Sequence, residues 1–581
     1  MRILKQLKWF FREQRRQYLI GIVALLLIAF FNVIPARIIG NVVDAISNHR
    51  VTPAWLMIQV GIMLVAAACQ YLLRFVWQKE IYGSSYVLER QLRGQLFHHF
   101  MKMDPSFYKR WRTGDLMAHA TNDVEAVRQV ASYGILAFAD FIITGGSMII
   151  AMGTFVSWRL TILTLLPMPL LVVLSDRLGE KIHASYGEAQ MAFGDLNNKI
   201  QESVTGIKVI QSLGEEKSDL KDFHRYVDKA LRTNQRAYFW DALFNPVTTL
   251  IMGLSYVIAI AVGGWMVGQR YLTVGQLVTL ITYLGELTWP LFAIGTLFNT
   301  LERGHASYDR IETVLSEKAA WQLPTKDEVH FGPIQFDIQS FSYPDSHQPV
   351  LRDIKFPLRP GEKVGIIGPT GSGKTSLLRL LVRDYDHYDG QITVSGDDIR
   401  TVPLEKYRSH LAYVPQVIFL FSTTIEKNLR FGGKDASPSA IEAVAAQAAM
   451  DQEINAMPDR YQTEVGQQGI ILSGGQQQRL TLSRALLKKA DLLVLDDPFS
   501  AIDAETASKI KDVLDHLDRR SLIMTASRLS TVQNMDWLFV MENGRITAQG
   551  RPDDLSRQPG WYRDTLKEQQ HRQQLEDDLN E

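Results

Sequence analysis

Two stretches in the second half of the chain carry residue types suited to phosphate and metal chemistry. In "VGIIGPTGSGKTSLLRLL" (364–381), Gly368 to Thr375 fit the pattern G-x-x-x-x-G-K-[ST]. Gly371 and Gly373 let backbone N–H groups approach phosphates closely, Lys374 brings charge to the outer phosphates, and the Thr375 hydroxyl is a Mg²⁺ ligand. The apolar run before the loop predicts a buried strand. The run after it predicts a helix whose positive end faces the anion. In "LLVLDDPFSAID" (492–503) an apolar strand delivers Asp496 and Asp497 to its C-terminal end. Asp496 is the metal-side carboxylate such a loop needs, which leaves Asp497 to be explained.

A second anion-binding pattern lies between them. Ser473, Gly474, Gly475 and Gln476 precede a helix in "ILSGGQQQRLTLSRALL" (471–487). One nucleotide cannot easily use two cradles of one domain. Two domains facing head to tail remove the difficulty, since each nucleotide then lies between one domain's loop and the other's Ser473–Gln476 segment.

The elements that must carry this machinery divide the 581 residues into unlike halves. Up to about residue 300, apolar stretches long enough for a bilayer core recur at 18–40, 54–77, 132–156, 160–174, 243–267 and 273–299. Six spans are expected, with Pro35 a kink in the first. The long polar segments 78–131 and 175–242 predict two helical hairpins on the side of the basic N-terminus, the cytoplasmic side. Residues 1–17 interleave Ile3, Leu7 and Phe10 with Arg2, Lys5, Lys8 and Arg12, as an amphipathic helix on a membrane surface does. Lys plus Arg and Asp plus Glu both number 62, so no basic surplus points to nucleic acid. The single cysteine, Cys69, excludes an intrachain disulfide and reads as a small buried residue. Glu286 and Asp140 lie inside spans, where an ionisable group either meets a polar or cationic substrate or makes a structural hydrogen bond.

With these motifs in this order, the chain resembles a half-transporter of the ATP-binding cassette (ABC) exporter family over nearly its whole length. The resemblance implies an α-helical membrane domain of six transmembrane helices with long intracellular hairpins, fused to an α/β P-loop nucleotide-binding domain. The boundaries expected are 1–17 (elbow helix), 18–305 (transmembrane domain), 306–333 (linker), 334–566 (nucleotide-binding domain) and 567–581 (polar tail). It implies ATP and Mg²⁺ as cofactors. Tyr343 in "FSYPD" matches the aromatic that stacks on adenine. Gly368, Thr370, Gly371, Ser372, Gly373, Lys374, Thr375, Ser376, Gln416 and Asp496 match the rest of the ATP site, with Thr375, Gln416 and Asp496 on the metal. Ser473, Gly474, Gly475 and Gln476 match the signature that contacts ATP held by another copy. "RTGDLMAHATNDVEAV" (112–127) and "QESVTGIKVIQSLGEE" (201–216) look like the tips and stems of the hairpins that dock on the motor. Gln467 and Gln468 replace the charged pair usual beside the signature.

Two further positions depart from an active ATPase of this family. The catalytic base is glutamate there and Asp497 here; the switch histidine is Ser527, in "MTASRLST" (524–531). Aspartate is one methylene shorter, and a misplacement of about 1 Å can cost on the order of 100-fold. Serine cannot carry an imidazolium charge. Together they imply a site that binds ATP and turns it over slowly. The intact signature would then complete the site of a partner half-transporter with its own glutamate and histidine. This resembles the degenerate-site subunit of bacterial heterodimeric multidrug exporters: a multi-pass protein of the inner or plasma membrane, in contact with lipid, moving small hydrophobic compounds, with Glu286 as a candidate substrate contact. The competing readings are a homodimeric lipid or peptide exporter, and a slowly hydrolysing membrane ATP binder that regulates without transport.

Overall fold

The computed structural model describes residues 2–346, 348–466, 472–517 and 520–580. Gln467 and Gln468 lie outside the described residues. The chain forms two compact units: Met1–Met101 with Thr113–Glu317, and Lys102–Arg112 with Lys318–Glu581.

The first unit is helical. Its long helices are α1 (Arg15–Ser47), α2 (Pro53–Phe100), α3 (Thr113–Leu165), α4 (Met168–Thr205), α5 (Glu216–Gly268), α6 (Val274–Glu286) and α7 (Thr288–Ser316). Five helical stretches among the described residues are long and apolar enough to cross a membrane, α6 with α7 counting as one. The third of these covers more than one expected span. Ser157 leaves helical dihedrals (φ −168°, ψ 127°), and the Trp158 ring folds back against Gly153. The stretch expected as the fourth span is thus divided between the end of α3 and the start of α4. Pro167 separates them, and proline has no N–H to continue a helix. Pro35 sits within α1, which runs on through it.

The start of α6 is pinned to the end of α1. Asp44 accepts the Gly275 N–H (2.7 Å) and the Thr273 hydroxyl (2.6 Å), occupying donors that the first turn of a helix leaves free. One and two turns on, Thr279 donates to the Ala36 carbonyl and the Tyr283 hydroxyl to that of Val33. At the N-terminus Ile3, Leu7 and Phe10 share one face, as their spacing predicts, but they are buried within the protein and Gln6 bonds Asp309 of α7. Cys69 is half-buried rather than buried. The second hairpin tip, Ile207–Leu213, falls within the expected stretch. The first is the short helix Pro105–Arg110, just ahead of residues 112–127, and it groups with the second unit.

That second unit holds two sheets. One, in the order β2-β1-β4-β5, is antiparallel: β1 (Ile334–Phe341), β2 (Leu351–Leu358), β4 (Asp389–Val394) and β5 (Asp397–Asp398). The other runs β10-β9-β3-β8-β7-β6, with β3 (Lys363–Ile367), β6 (Leu411–Val414), β7 (Leu492–Asp496), β8 (Ser521–Thr525) and β9 (Trp537–Glu542) parallel and β10 (Arg545–Gly550) antiparallel at the edge. Every residue of β7 and β8 is buried, and their apolar stretches Leu492–Leu495 and Leu522–Met524 run without polar alternation, as in strands covered on both faces. β8 lies between β3 and β7, and this order sets the site.

Candidate functional site

The loop after β3 and the ends of β7 and β8 meet at the carboxyl edge of the parallel sheet, where such sheets bind ligands. Gly371 and Gly373 adopt φ of 83° and 101°, a region costly for residues with a Cβ. They turn the chain into α8 (Lys374–Leu381). Lys374 Nζ donates to the carbonyls of Gly368 (2.8 Å) and Pro369 (3.0 Å), which holds the ammonium over the loop. Burial lowers the lysine pKa, and the charges of Asp497 and Asp496 oppose that shift. Thr370 and Gly371 are exposed; Ser372 is buried, and its hydroxyl has no hydrogen-bond partner among the described residues.

Asp496 is buried. Its Oδ1 accepts from Thr525 (2.6 Å) and Thr375 (3.1 Å), while Oδ2 is buried without a hydrogen-bond partner among the described residues. Burial raises this carboxyl above the ordinary aspartate range, against the pull of the two threonine hydrogen bonds. An orphaned carboxylate oxygen beside a threonine hydroxyl fits a hard cation, and Mg²⁺ commonly takes one or two protein oxygens and finds the rest on phosphates and water. Gln416 is exposed on the loop after β6 and forms no hydrogen bond to this cluster among the described residues.

Asp497, next along, does something different. Its backbone turns to φ 51°, which aspartate tolerates better than most residues. Its N–H is held by the Thr525 hydroxyl (2.9 Å) and carbonyl (3.1 Å). Its Oδ1 accepts from the Ser527 hydroxyl at 3.0 Å and from the Ser527 N–H at 3.3 Å. The two residues that depart from the family pattern are therefore in contact.

Ser473 and Gln476 form a reciprocal cap at the start of α9 (Gly474–Leu487): the Ser473 hydroxyl accepts the Gln476 N–H, and the Gln476 side chain accepts the Ser473 N–H. A Cβ on Gly475 would lie 2.8 Å from the Ala501 carbonyl, so only glycine fits there. No hydrogen bond among the described residues joins 473–476 to 368–376. Tyr343 packs edge-on to Phe341 and Tyr385, and its hydroxyl pairs with Ser376 at 2.8 Å. Lys109, ion-paired with Asp345, stands 5.7 Å from the Tyr343 ring centre. Glu286 is the exposed last residue of α6, whereas Asp140 is satisfied by the Thr144 hydroxyl.

The sequence reading missed three residues. Thr525 braces both aspartates; its one signal was a polar residue ending the apolar run "SLIMT". Gln478 ties α9 to the Asp497 carbonyl (2.9 Å) and to Ala501, and was hidden in a run of three glutamines. Gln569, in helix α10 (Trp561–Asn580), brackets the Ser527 carbonyl and the Leu529 N–H, with nothing in the polar tail to mark it.

Comparison with known proteins covers both units. Residues 18–291 match the family described as ABC transporter transmembrane region, and residues 351–500 that described as ABC transporter. The chain is 38% identical over 571 residues, 98% of each chain, to the Bacillus subtilis protein named probable multidrug resistance ABC transporter ATP-binding/permease protein YheI. It is 38% identical, over 99% of this chain and 98% of the relative, to the Escherichia coli multidrug resistance-like ATP-binding protein MdlA. A solved bacterial Atm1-family ABC exporter with ATP bound superposes with a TM-score of 0.78 at 25% identity, over 96% of this chain and 98% of that one.

Proposed function

The chain belongs to the ABC transporter family, joining a multi-pass helical membrane region to a cytoplasmic ATP-binding domain, and from that premise we propose that it is the degenerate-site subunit of a heterodimeric, multidrug-type exporter. One observation carries the reading: the Asp497 carboxylate is engaged by Ser527 beside an otherwise complete phosphate loop. A general base must reach the water it deprotonates. Here the acid is a methylene short, and one oxygen is already given to a hydroxyl and an amide.

In this reading the loop 368–376 receives the phosphates and Tyr343 the adenine, while Thr375, Gln416 and Asp496 hold Mg²⁺. Bound Mg-ATP supplies the charge and the hydrolysable bond that drive such a pump. The chain's own residues grip it, and Asp497 and Ser527 leave the attacking water poorly placed. Ser473 to Gln476, with α9 behind them, complete the site of a partner half-transporter that brings its own glutamate and histidine. The relatives named for multidrug resistance support small hydrophobic compounds as cargo.

The test compares the chain purified alone with the chain co-expressed with a similar half-transporter carrying glutamate and histidine. The expected result is weak ATPase alone and drug-stimulated ATPase together. Strong drug-stimulated turnover by the chain alone would replace this reading with a homodimeric exporter. Absence of ATP-dependent drug uptake into inverted vesicles holding both chains would favour a regulatory ATP binder.

A further inference from the structure

The membrane unit contains a groove of about 720 Å³ between α1, α2 and α3. α1 and α3 run side by side in the same direction. The Tyr18 hydroxyl bonds the Ala131 carbonyl at one end, and Arg37 lies 3.9 Å from the centre of the Phe155 ring at the other. From Leu26 to Asn41 the groove follows α1 for about 22 Å, at 1.5 Å per residue. Its two ends differ in chemistry. Leu26, Phe30 and Ile142 line the part towards the middle of the helices; Arg37, Asn41 and Thr154 line the far end. On α3 the walls are set by two π-turns, Phe141–Gly145 and Gly153–Ser157.

Arg37 is the unusual feature. Among the described residues it makes no ion pair and no hydrogen bond. Its guanidinium stacks on Phe155, which satisfies the π face and leaves the in-plane N–H groups without an acceptor. Arg37 is exposed and lies three residues from the end of the expected span, where an arginine reaches the level of the lipid head groups. In-plane guanidinium donors match carboxylate or phosphate oxygens. A cationic, hydrogen-bonding end joined to a long apolar trough is complementary to an anionic head on an acyl chain.

We propose that this groove binds an anionic, acyl-chain membrane lipid, its head on Arg37 and Asn41 and its tail along Phe30 and Ile142 towards Leu26. The site stands independently of the degenerate-site reading, because it uses none of the nucleotide-binding residues. It also points to a different charge preference from the cationic compounds that Glu286 would suit: Glu286 does not line the groove, and a cation does.

The experiment uses the full chain in lipid nanodiscs, both alone and assembled with a co-expressed partner, and a long-chain fatty acid bearing a diazirine, compared with the corresponding uncharged alcohol. Cross-linked peptides are mapped by mass spectrometry. The acid is expected to label α1 and α3 roughly tenfold more than the alcohol, the scale of one charge-assisted hydrogen bond. Arg37→Gln should abolish that preference, and Arg37→Lys, which keeps the charge without the planar fork, should keep only part of it. A Cβ on Gly146, which lines the groove, meets nothing within 4 Å, so Gly146→Leu should enter the trough and lower labelling by both probes. Unchanged Mg-ATP binding by each variant serves as the folding control. Equal labelling by acid and alcohol, or indifference to Arg37→Gln, would reduce the site to a greasy crevice. Full protection in the assembled complex, with labelling of the chain alone, would show that the partner's helices fill it. Either result overturns the proposal.

Discussion

The two sides of the nucleotide site differ in what their polar groups are doing. On the phosphate side, groups are held ready: Lys374 rests on two loop carbonyls, and among the described residues the Ser372 hydroxyl is unpartnered and the buried Asp496 Oδ2 has no donor. On the base side the groups are engaged, with Asp497 Oδ1 taking two hydrogen bonds from Ser527 while Thr525 and Gln478 fix its backbone. Buried polar atoms left open are costly, and a fold retains them where a ligand completes them. On the base side one carboxylate oxygen is already engaged within the protein. On the proposed reading the contrast separates gripping a nucleotide from cleaving it, and each can be perturbed alone.

The largest effect is expected on the phosphate side. Lys374→Ala removes the one cation of the loop and should weaken ATP trapping at this chain's site by about 100-fold, the worth of charged hydrogen bonds; photolabelling with an azido-ATP measures it. Near-normal trapping would break the comparison. Next, Asp497→Glu combined with Ser527→His should raise single-turnover hydrolysis at this site by up to about 100-fold, since reach and charge are restored together. Either change alone should do much less, because each leaves the other partner of the pair mismatched.

A smaller effect concerns pH. Burial raises the Asp496 carboxyl, so the folded domain keeps its proton to higher pH than the unfolded chain. Ligand-free stability should therefore fall as pH rises from the ordinary aspartate value of roughly 4 through the raised one. Mg-ATP affinity should rise over the same window. Thermal melts with and without Mg-ATP check both trends, and Asp496→Asn should flatten them. The smallest effects belong to the base side: Asp497→Asn and Ser527→Ala should each change steady-state ATPase of the assembled exporter by less than about threefold. Ser527→Ala removes one hydrogen bond to a carboxylate, which solvent screens at this exposed serine, and should cost no more than about 1 kcal/mol, read as a shift in the urea midpoint. A large loss of turnover in either variant would mean that Asp497 works as a base.

Much of this was legible before folding was considered. A phosphate loop is written in contiguous residues because backbone amides of one turn do the binding, and the strands beside it are apolar runs because both of their faces are covered. The membrane helices were legible from length and hydropathy. Less legible were the turn at Ser157, where Trp158 packs back on Gly153 with no break in hydropathy, and the first hairpin tip, which is the short helix Pro105–Arg110 rather than the stretch that follows it. Capping by Asp44 on a helix that begins more than 200 residues later is invisible to any local pattern.

The sequence by itself determined the family, the two-part plan and the identity of the deviant residues, because local chemistry and hydrophobic period suffice for those. Only the tertiary structure decided that the two deviant residues are in contact. Asp497 and Ser527 stand thirty residues apart, and nothing in their spacing predicts a bond. They meet because β8 inserts between β3 and β7, which sets Thr525 against both aspartates and Ser527 on the carboxylate of Asp497. Strand order is fixed by packing across the whole sheet, and that is information no short stretch of chain contains.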